Sequence, residues 1–135
     1  MNSKTKITPV GNIPKDWDLL KIKDIGVVQT GNTPSKKEKK FWGGKYYWAT
    51  AQDFGSKYVC KTTETLTDIG IQKARLLPKG TILITCIASI GKNAIAAVPL
   101  ATNQQINAII THENINNEYV FYSLNFAQER LKNLA

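Results

Sequence analysis

The chain has 135 residues, the usual length of one domain, and 18 basic against 10 acidic side chains give it a net charge of +8. No stretch approaches the roughly 18 apolar residues of a membrane span, and no apolar segment follows the basic N-terminal residues, so we expect neither a membrane span nor a signal peptide. The charge favours a polyanionic partner, most commonly nucleic acid, although a merely soluble basic protein is the alternative.

The first half of the chain alternates short strands with turns. We expect a flexible leader over 1–12, a domain over 13–115 and a C-terminal helix over 116–135. Within the domain the pattern predicts these elements in order: a strand over 17–22, a helical turn over 23–26, a strand over 27–30, a polar loop over 31–45 and a strand over 46–51.

The second half contains the most apolar strand. A Thr-rich segment over 62–68 ends in an N-cap for a short helix over 69–75. Residues 81–87 then form the strand that we expect at the centre of a sheet, and 93–98 return beside it as a hairpin. A loop over 101–105 and a strand over 106–111 follow.

The two cysteines, Cys60 and Cys86, are too few for a disulfide scaffold. Each follows residues typical of a strand. We therefore expect reduced thiols that are buried or half-buried, in a cytoplasmic protein, rather than a disulfide.

The C-terminal segment has apolar residues at spacings of four, three, four and three, which is a coiled-coil period. These seam residues are Val120, Leu124, Ala127, Leu131 and Leu134. The seam lasts only two heptads. It is therefore compatible with pairing to a partner helix and with packing on the chain's own domain.

Catalytic motifs are scarce. The sequence has no dinucleotide-binding or phosphate-loop signature, and one histidine, His112, with two scattered cysteines does not make the usual zinc site. Glu38 and Lys40 formally match half of a nuclease site with Asp24 upstream, but Glu38 lies among lysines in a polar loop. We therefore predict no catalytic residue and no metal site, with a small nuclease as a third hypothesis.

The residues suited to nucleic-acid binding form two groups. Lysines can neutralise phosphates, and the candidates are Lys36, Lys37, Lys39, Lys40, Lys45 and Lys92. Amide side chains can reach base edges, and the candidates are Gln52, Asn103, Gln104 and Gln105. A lysine run is also typical of a solvated loop. We expect Trp42 and Trp48 to hold loops in place rather than to stack on bases.

Several motifs carry a family resemblance through their order and spacing. They are Ile13-Pro14-x-x-Trp17, Gly31-x-Thr33-Pro34-Ser35, Trp42-Gly43-Gly44-x-Tyr46-x-Trp48 with Asp53, Leu77-Pro78-x-Gly80-Thr81-Ile82-Leu83, Ser89-Ile90-Gly91 and Thr102-Asn103-Gln104-Gln105. Together they resemble one target-recognition domain of a Type I restriction-modification specificity subunit, over roughly residues 13–135.

The resemblance implies an α/β (α+β) fold: a twisted, mostly antiparallel β-sheet with short helices, followed by a helix that begins the family's spacer helix. It implies a non-catalytic protein that recognises double-stranded DNA and directs methyltransferase and restriction subunits to one half of a split target. S-adenosylmethionine, ATP and Mg²⁺ are then expected only on those partner subunits, and none in this chain.

The chain also departs from the family pattern. A full subunit has two recognition domains and two long helices, whereas this chain has one domain and a helix of about 27 Å. The sequence is therefore read as an excised or truncated domain, or as a half-subunit that pairs with itself. The alternative function is an interaction module that pairs through its C-terminal helix, with DNA contact incidental.

Overall fold

The computed structural model describes residues 5–8, 11–14, 25–85 and 92–134, and the side chains within 25–85 and 92–126. The predicted strand over 17–22, Asp24, Cys86 and the turn over 89–91 lie outside these ranges. In chain order the described elements are β1 (Thr5–Thr8), β2 (Gly11–Pro14), β3 (Gly26–Thr30), β4 (Trp42–Ala49), β5 (Tyr58–Val59), β6 (Glu64–Leu66), α1 (Asp68–Ile71), β7 (Ile82–Thr85), β8 (Asn93–Ala96), β9 (Leu100–Thr102), β10 (Ile106–Thr111) and α2 (Asn117–Leu134).

The described strands form a five-stranded sheet in the order β3-β10-β7-β8-β5, a three-stranded sheet in the order β6-β4-β9, and the hairpin β1-β2. Only β5–β8 and β4–β9 pair in parallel. The mixed, mostly antiparallel fold and the β7–β8 hairpin are thereby confirmed. The hairpin β1–β2 occupies most of the region expected to be a flexible leader, where Thr5, Ile7 and Thr8 favour extended backbone.

The five-stranded sheet is covered on both faces at its central strand, which explains the continuous apolar run of β7. Leu83 packs in one cluster with Leu100 of β9, while Ile82 packs in another with Phe121 of α2. A strand buried on both sides has apolar residues at successive positions rather than at alternate ones. The sheet therefore links the polar loops around β9 to the C-terminal helix.

The helix α2 packs on its own domain. Its first turn is capped by Asn116, whose Oδ1 accepts from the Tyr119 N–H at 3.0 Å. Val120 and Phe121 are 5% and 2% exposed and contact the five-stranded sheet, and Leu124 is partly buried there. The first two positions of the predicted seam thus pack within the chain. The side chains of Ala127, Leu131 and Leu134 lie outside the described ranges.

Two local predictions are corrected. β4 begins at Trp42 rather than at residue 46, because a bulge lets both Trp42 and Tyr46 pair with Leu66. Gly43 has a φ of 90° in this bulge, a conformation that glycine adopts without strain. Cys60 was expected to be at least half-buried, but it is an exposed free thiol because β5 ends at Val59.

The short helix α1 begins at Asp68, one residue before the predicted start, and its cap is Thr67, whose Oγ1 accepts from the Gly70 N–H at 3.1 Å. It ends at Ile71 rather than at residue 75. No helix in the described part of the chain is both long and apolar enough to cross a membrane.

Candidate nucleic-acid interface

Two polar loops leave one edge of the three-stranded sheet in the same direction. Ala49, the last residue of β4, lies opposite Thr102, the last residue of β9, in the parallel pair. The Asn103 N–H donates to the Ala49 carbonyl at 3.1 Å. Because the ends of parallel strands meet at one edge, the loop over 50–53 lies beside the loop over 103–105.

The loop over 31–33 joins the same edge. The Gly31 N–H donates to the Ile106 carbonyl at 3.2 Å, and the Asn32 N–H donates to the Thr102 carbonyl at 3.0 Å. A Cβ on Gly31 would lie 2.1 Å from Thr102 Oγ1 and 2.3 Å from the Asn103 carbonyl oxygen. Only glycine allows the two loops to approach so closely.

The β7–β8 hairpin brings a lysine to this place. Thr85, the last residue of β7, lies opposite Ile106, which directly follows the loop over 103–105. The Lys92 N–H donates to Thr85 Oγ1 at 2.8 Å. Residues 31–33, 50–53, 92 and 103–105 therefore lie together, and we call this set the polar edge.

The two described tryptophans hold the loop that carries Thr33. Trp48 is 3% exposed, and its Nε1 donates to the Asn32 carbonyl at 3.1 Å. Trp42 Nε1 donates to the Ser35 carbonyl at 3.0 Å, and the two indole rings meet edge to face at 4.9 Å. The prediction that these rings hold loops in place is confirmed by the two bonds.

The lysine run is only partly available to a ligand. Lys36 Nζ lies 4.0 Å from the centre of the Trp42 ring, 4.8 Å from that of Trp48, and forms an ion pair with Glu64. Cation–π contact and charge pairing together favour this position on the surface of the domain. Lys36 is therefore tied to the framework that supports the loop.

The later lysines lie away from the polar edge. Lys45 pairs with Asp68 at 3.4 Å, and this hydrogen-bonded contact raises the pKa of Lys45. Lys45 precedes Ala49 by four residues, or about 13 Å along β4. Lys40 lies 4.0 Å from Glu38.

Lys37, Lys39 and Lys92 are exposed, and none of the three has an acidic partner among the described residues. Of the six lysine candidates, these three are the most available to phosphate. Lys92 is the one that lies at the polar edge itself.

The four amide candidates also divide into side chains that bond within the domain and side chains that remain available. Asn103 Oδ1 accepts from the Gln105 N–H at 3.1 Å, and Gln104 Oε1 accepts from Thr33 Oγ1 at 2.5 Å. Gln52 and Gln105 are exposed, and their side chains have no hydrogen-bond partner within the described ranges. The sequence predicted the four amides as candidates without placing them together, and the structure brings them to the same edge.

Two residues that were not among the predicted candidates also shape the polar edge. Thr50 and Asp53 form a reciprocal cap in which the Thr50 N–H donates to Asp53 Oδ2 at 2.8 Å. Asp53 Oδ1 also accepts from the Thr63 N–H at 2.9 Å. A Thr-x-x-Asp spacing is the sequence signal for this cap, and it could have been read beforehand.

The described ranges contain no group of three His, Cys, Asp or Glu side chains placed to hold a metal ion. Glu38, the acid of the nuclease hypothesis, lies beside Lys40 in the loop before β4. Its proposed companion Asp24 is outside the described ranges.

A charged cluster joins α2 to the domain at a distance from the polar edge. Lys57 Nζ donates to Tyr122 Oη at 3.0 Å and pairs with Glu118 at 2.9 Å, while the Tyr58 hydroxyl donates to the same carboxylate. The bonds to Tyr122 and Glu118 raise the pKa of Lys57. The bonds from Tyr58 and Lys57 lower the pKa of Glu118 below 4.5.

This cluster predicts an acid-sensitive helix junction. A lowered carboxylate pKa stabilises the fold above the unfolded value, and the contribution is lost as the pH falls through the folded value. We therefore expect the melting temperature to drop on acidification below about pH 4.5, and the drop to be smaller in Glu118→Gln. Thermal unfolding of both proteins between about pH 6 and pH 3 checks this. Glu113→Gln, an exposed carboxylate just before α2, is the control and should keep the wild-type profile.

Comparison with known proteins identifies a matching family and related sequences. The family described as Type I restriction modification DNA specificity domain matches residues 14–135. The MjaIX specificity subunit of Methanocaldococcus jannaschii is 44% identical over 122 residues, covering 87% of this chain and 28% of that subunit. The HindI specificity subunit of Haemophilus influenzae is 31% identical over 115 residues, covering 83% and 25%. This chain thus spans about a quarter of the length of these two relatives.

A solved structure shares the fold. The HsdS subunit of Thermoanaerobacter tengcongensis superposes with a TM-score of 0.67 at 17% identity, over 92% of this chain and 31% of that one. At such low identity the likeness shows the arrangement of strands and helices alone.

Proposed function

This chain belongs to the Type I restriction modification DNA specificity domain family, and from this premise we propose that it binds double-stranded DNA and recognises one half of a split target. The observation that carries the proposal is the convergence of the polar loops at one edge, where exposed amides lie beside Lys92. Amides match base edges and lysines match phosphates, and both are needed for sequence-specific binding. The net charge of +8 supports the same partner.

We propose a non-catalytic role for the chain within a larger assembly. Its partners are methyltransferase and restriction subunits, which carry S-adenosylmethionine, ATP and Mg²⁺, and the compartment is the cytoplasm. The relatives are named as specificity subunits of Type I restriction enzymes, which supports this assignment. Self-pairing through the outer helix positions Ala127, Leu131 and Leu134 stays a prediction.

Binding should weaken with salt in proportion to the available lysines. Each phosphate neutralised contributes about −0.9 to the slope of log K against log salt, so Lys37, Lys39 and Lys92 together give about −3. We expect the double variant Lys37→Ala and Lys39→Ala to reduce the magnitude of the slope by roughly 2, and Lys92→Ala by roughly 1. Fluorescence anisotropy with a duplex pool at several salt concentrations measures these slopes.

Lys79→Ala is the matched control, because Lys79 is exposed in the turn that precedes β7, toward the end opposite the polar edge. It should leave the slope unchanged. A wild-type affinity that does not respond to salt would contradict the proposed phosphate contacts. Equal loss in all the lysine variants, Lys79→Ala included, would show a diffuse charge effect instead.

A further inference from the structure

Two glutamines occupy matching turns at the polar edge. The Gln52 N–H donates to Thr50 Oγ1 at 3.3 Å, and the Gln105 N–H donates to Asn103 Oδ1 at 3.1 Å. In each loop the side-chain oxygen two residues earlier holds the glutamine backbone, directly after β4 or β9. The backbone of both residues is thereby fixed at the ends of adjacent parallel strands.

The side chains of these two glutamines differ from the other two amides in their hydrogen bonding. Gln104 is bonded to Thr33, and Asn103 is used by the turn that holds Gln105. The side-chain amides of Gln52 and Gln105 are exposed and form no hydrogen bond in the part of the chain that the structure describes. Asn103 and Gln104 therefore build the frame, while Gln52 and Gln105 present free hydrogen-bonding groups.

The strands that lead to the two glutamines have a spacing that suits neighbouring bases. Adjacent strands lie about 4.8 Å apart, and successive bases of one DNA strand lie about 3.4 Å apart. The reach of a glutamine side chain covers this small difference. A primary amide has one acceptor and two donors, and it pairs bidentately with N6 and N7 of adenine in the major groove.

We propose that Gln52 and Gln105 are specificity-determining residues that read two neighbouring base positions, each with a preference for adenine. The assignment rests on the proposed DNA-binding function and narrows it to two side chains. Asn103, Gln104 and Thr33 are positioning residues that hold the loop carrying Gln105. The position of these two amides, rather than the number of polar residues at the edge, then decides which bases are accepted.

Selection of bound duplexes from a random pool tests the assignment. The wild-type chain should enrich a motif that contains adenine at two neighbouring positions. Gln52→Ala and Gln105→Ala should each abolish the preference at one of them, by roughly 5- to 150-fold, and leave the remaining positions intact. Gln52→Met and Gln105→Met, which keep the length of the side chain without its amide, should give the same result.

Two further variants separate base reading from structure. Asn114→Ala removes an exposed amide beyond the opposite end of β10 and should preserve the whole motif. Gln104→Ala breaks the bond to Thr33 and should weaken binding to all sequences alike.

The outcomes test the proposed DNA-binding function and the assignment of the two glutamines separately. If the wild-type chain enriches no motif, the proposed function itself is overturned. If it enriches a motif that neither glutamine variant changes, only the assignment of the glutamines is overturned, and DNA recognition stands. A uniform loss of affinity in Gln52→Ala or Gln105→Ala, without a change at one position, also overturns the assignment because it indicates a structural role.

Discussion

Replacement of Trp48 with alanine is expected to lower the free energy of unfolding by about 3–5 kcal/mol. Trp48 is 3% exposed, and its ring packs with Leu66 and Ala101 in the core of the three-stranded sheet. Its loss removes apolar contacts and leaves a cavity, and it also frees the loop that begins at Gly31. Chemical denaturation followed by circular dichroism measures the change.

Trp48→Phe separates packing from hydrogen bonding. It keeps an aromatic ring but removes the indole donor to the Asn32 carbonyl, so we expect a cost of about 1 kcal/mol from that bond and a small further loss from the reduced ring. If alanine and phenylalanine cost the same, the ring contributes little to the core. If phenylalanine costs nothing, the bond from Trp48 to the Asn32 carbonyl does not anchor the loop.

Replacement of Phe121 with alanine is expected to cost a similar 3–5 kcal/mol, because its side chain is 2% exposed. Phe121 fills the space between α2 and the five-stranded sheet, where it packs in a cluster with Ile82, Ile95 and Ile109. The expected result is loss of the docked helix, and hydrogen exchange of the α2 amides detects it directly.

Tyr122→Phe is the neighbouring control. Tyr122 is 56% exposed and accepts a hydrogen bond from Lys57. Loss of one exposed hydrogen bond should cost well under 1 kcal/mol. A Phe121→Ala protein with full protection of α2 amides would show that the helix is held by the charged cluster rather than by apolar packing.

Local patterns were enough to predict several elements. The β7–β8 hairpin and β10 follow from apolar runs broken by turn residues, and a short capped helix follows from the Thr-rich segment before it. In each case the residues that determine the structure are close together in the chain. The residues 106–111 predicted as a strand are those of β10.

Long-range pairing accounts for what the sequence reading did not find. Residues 101 and 102 were expected to begin a loop, yet they belong to β9 because β4 supplies a parallel partner far away in the chain. A three-residue strand carries too little pattern of its own to reveal such a partner.

In the candidate site, too, the residue types were visible in the sequence but their long-range partners were not. The lysine run is visible in the sequence, but Glu64 and Asp68, which pair with Lys36 and Lys45, lie on other elements. Similarly, all four amides were expected to meet DNA, while the bond from Thr33 to Gln104 depends on the folded loop contact. Composition predicted the chemistry of the candidate site, and tertiary contacts decide which side chains remain free for it.

The packing of α2 on the sheet also fixes the orientation of the helix about its own axis. The described contacts of this helix with the sheet lie in its first half, around Val120, Phe121 and Leu124. An α-helix turns by about 100° per residue. One residue inserted after this docked half would therefore rotate everything carried by the later turns by about 100° around the helix axis, while the polar edge stayed in place. The direction in which the later turns face, relative to the polar edge, is thus fixed by a residue count within a single helix.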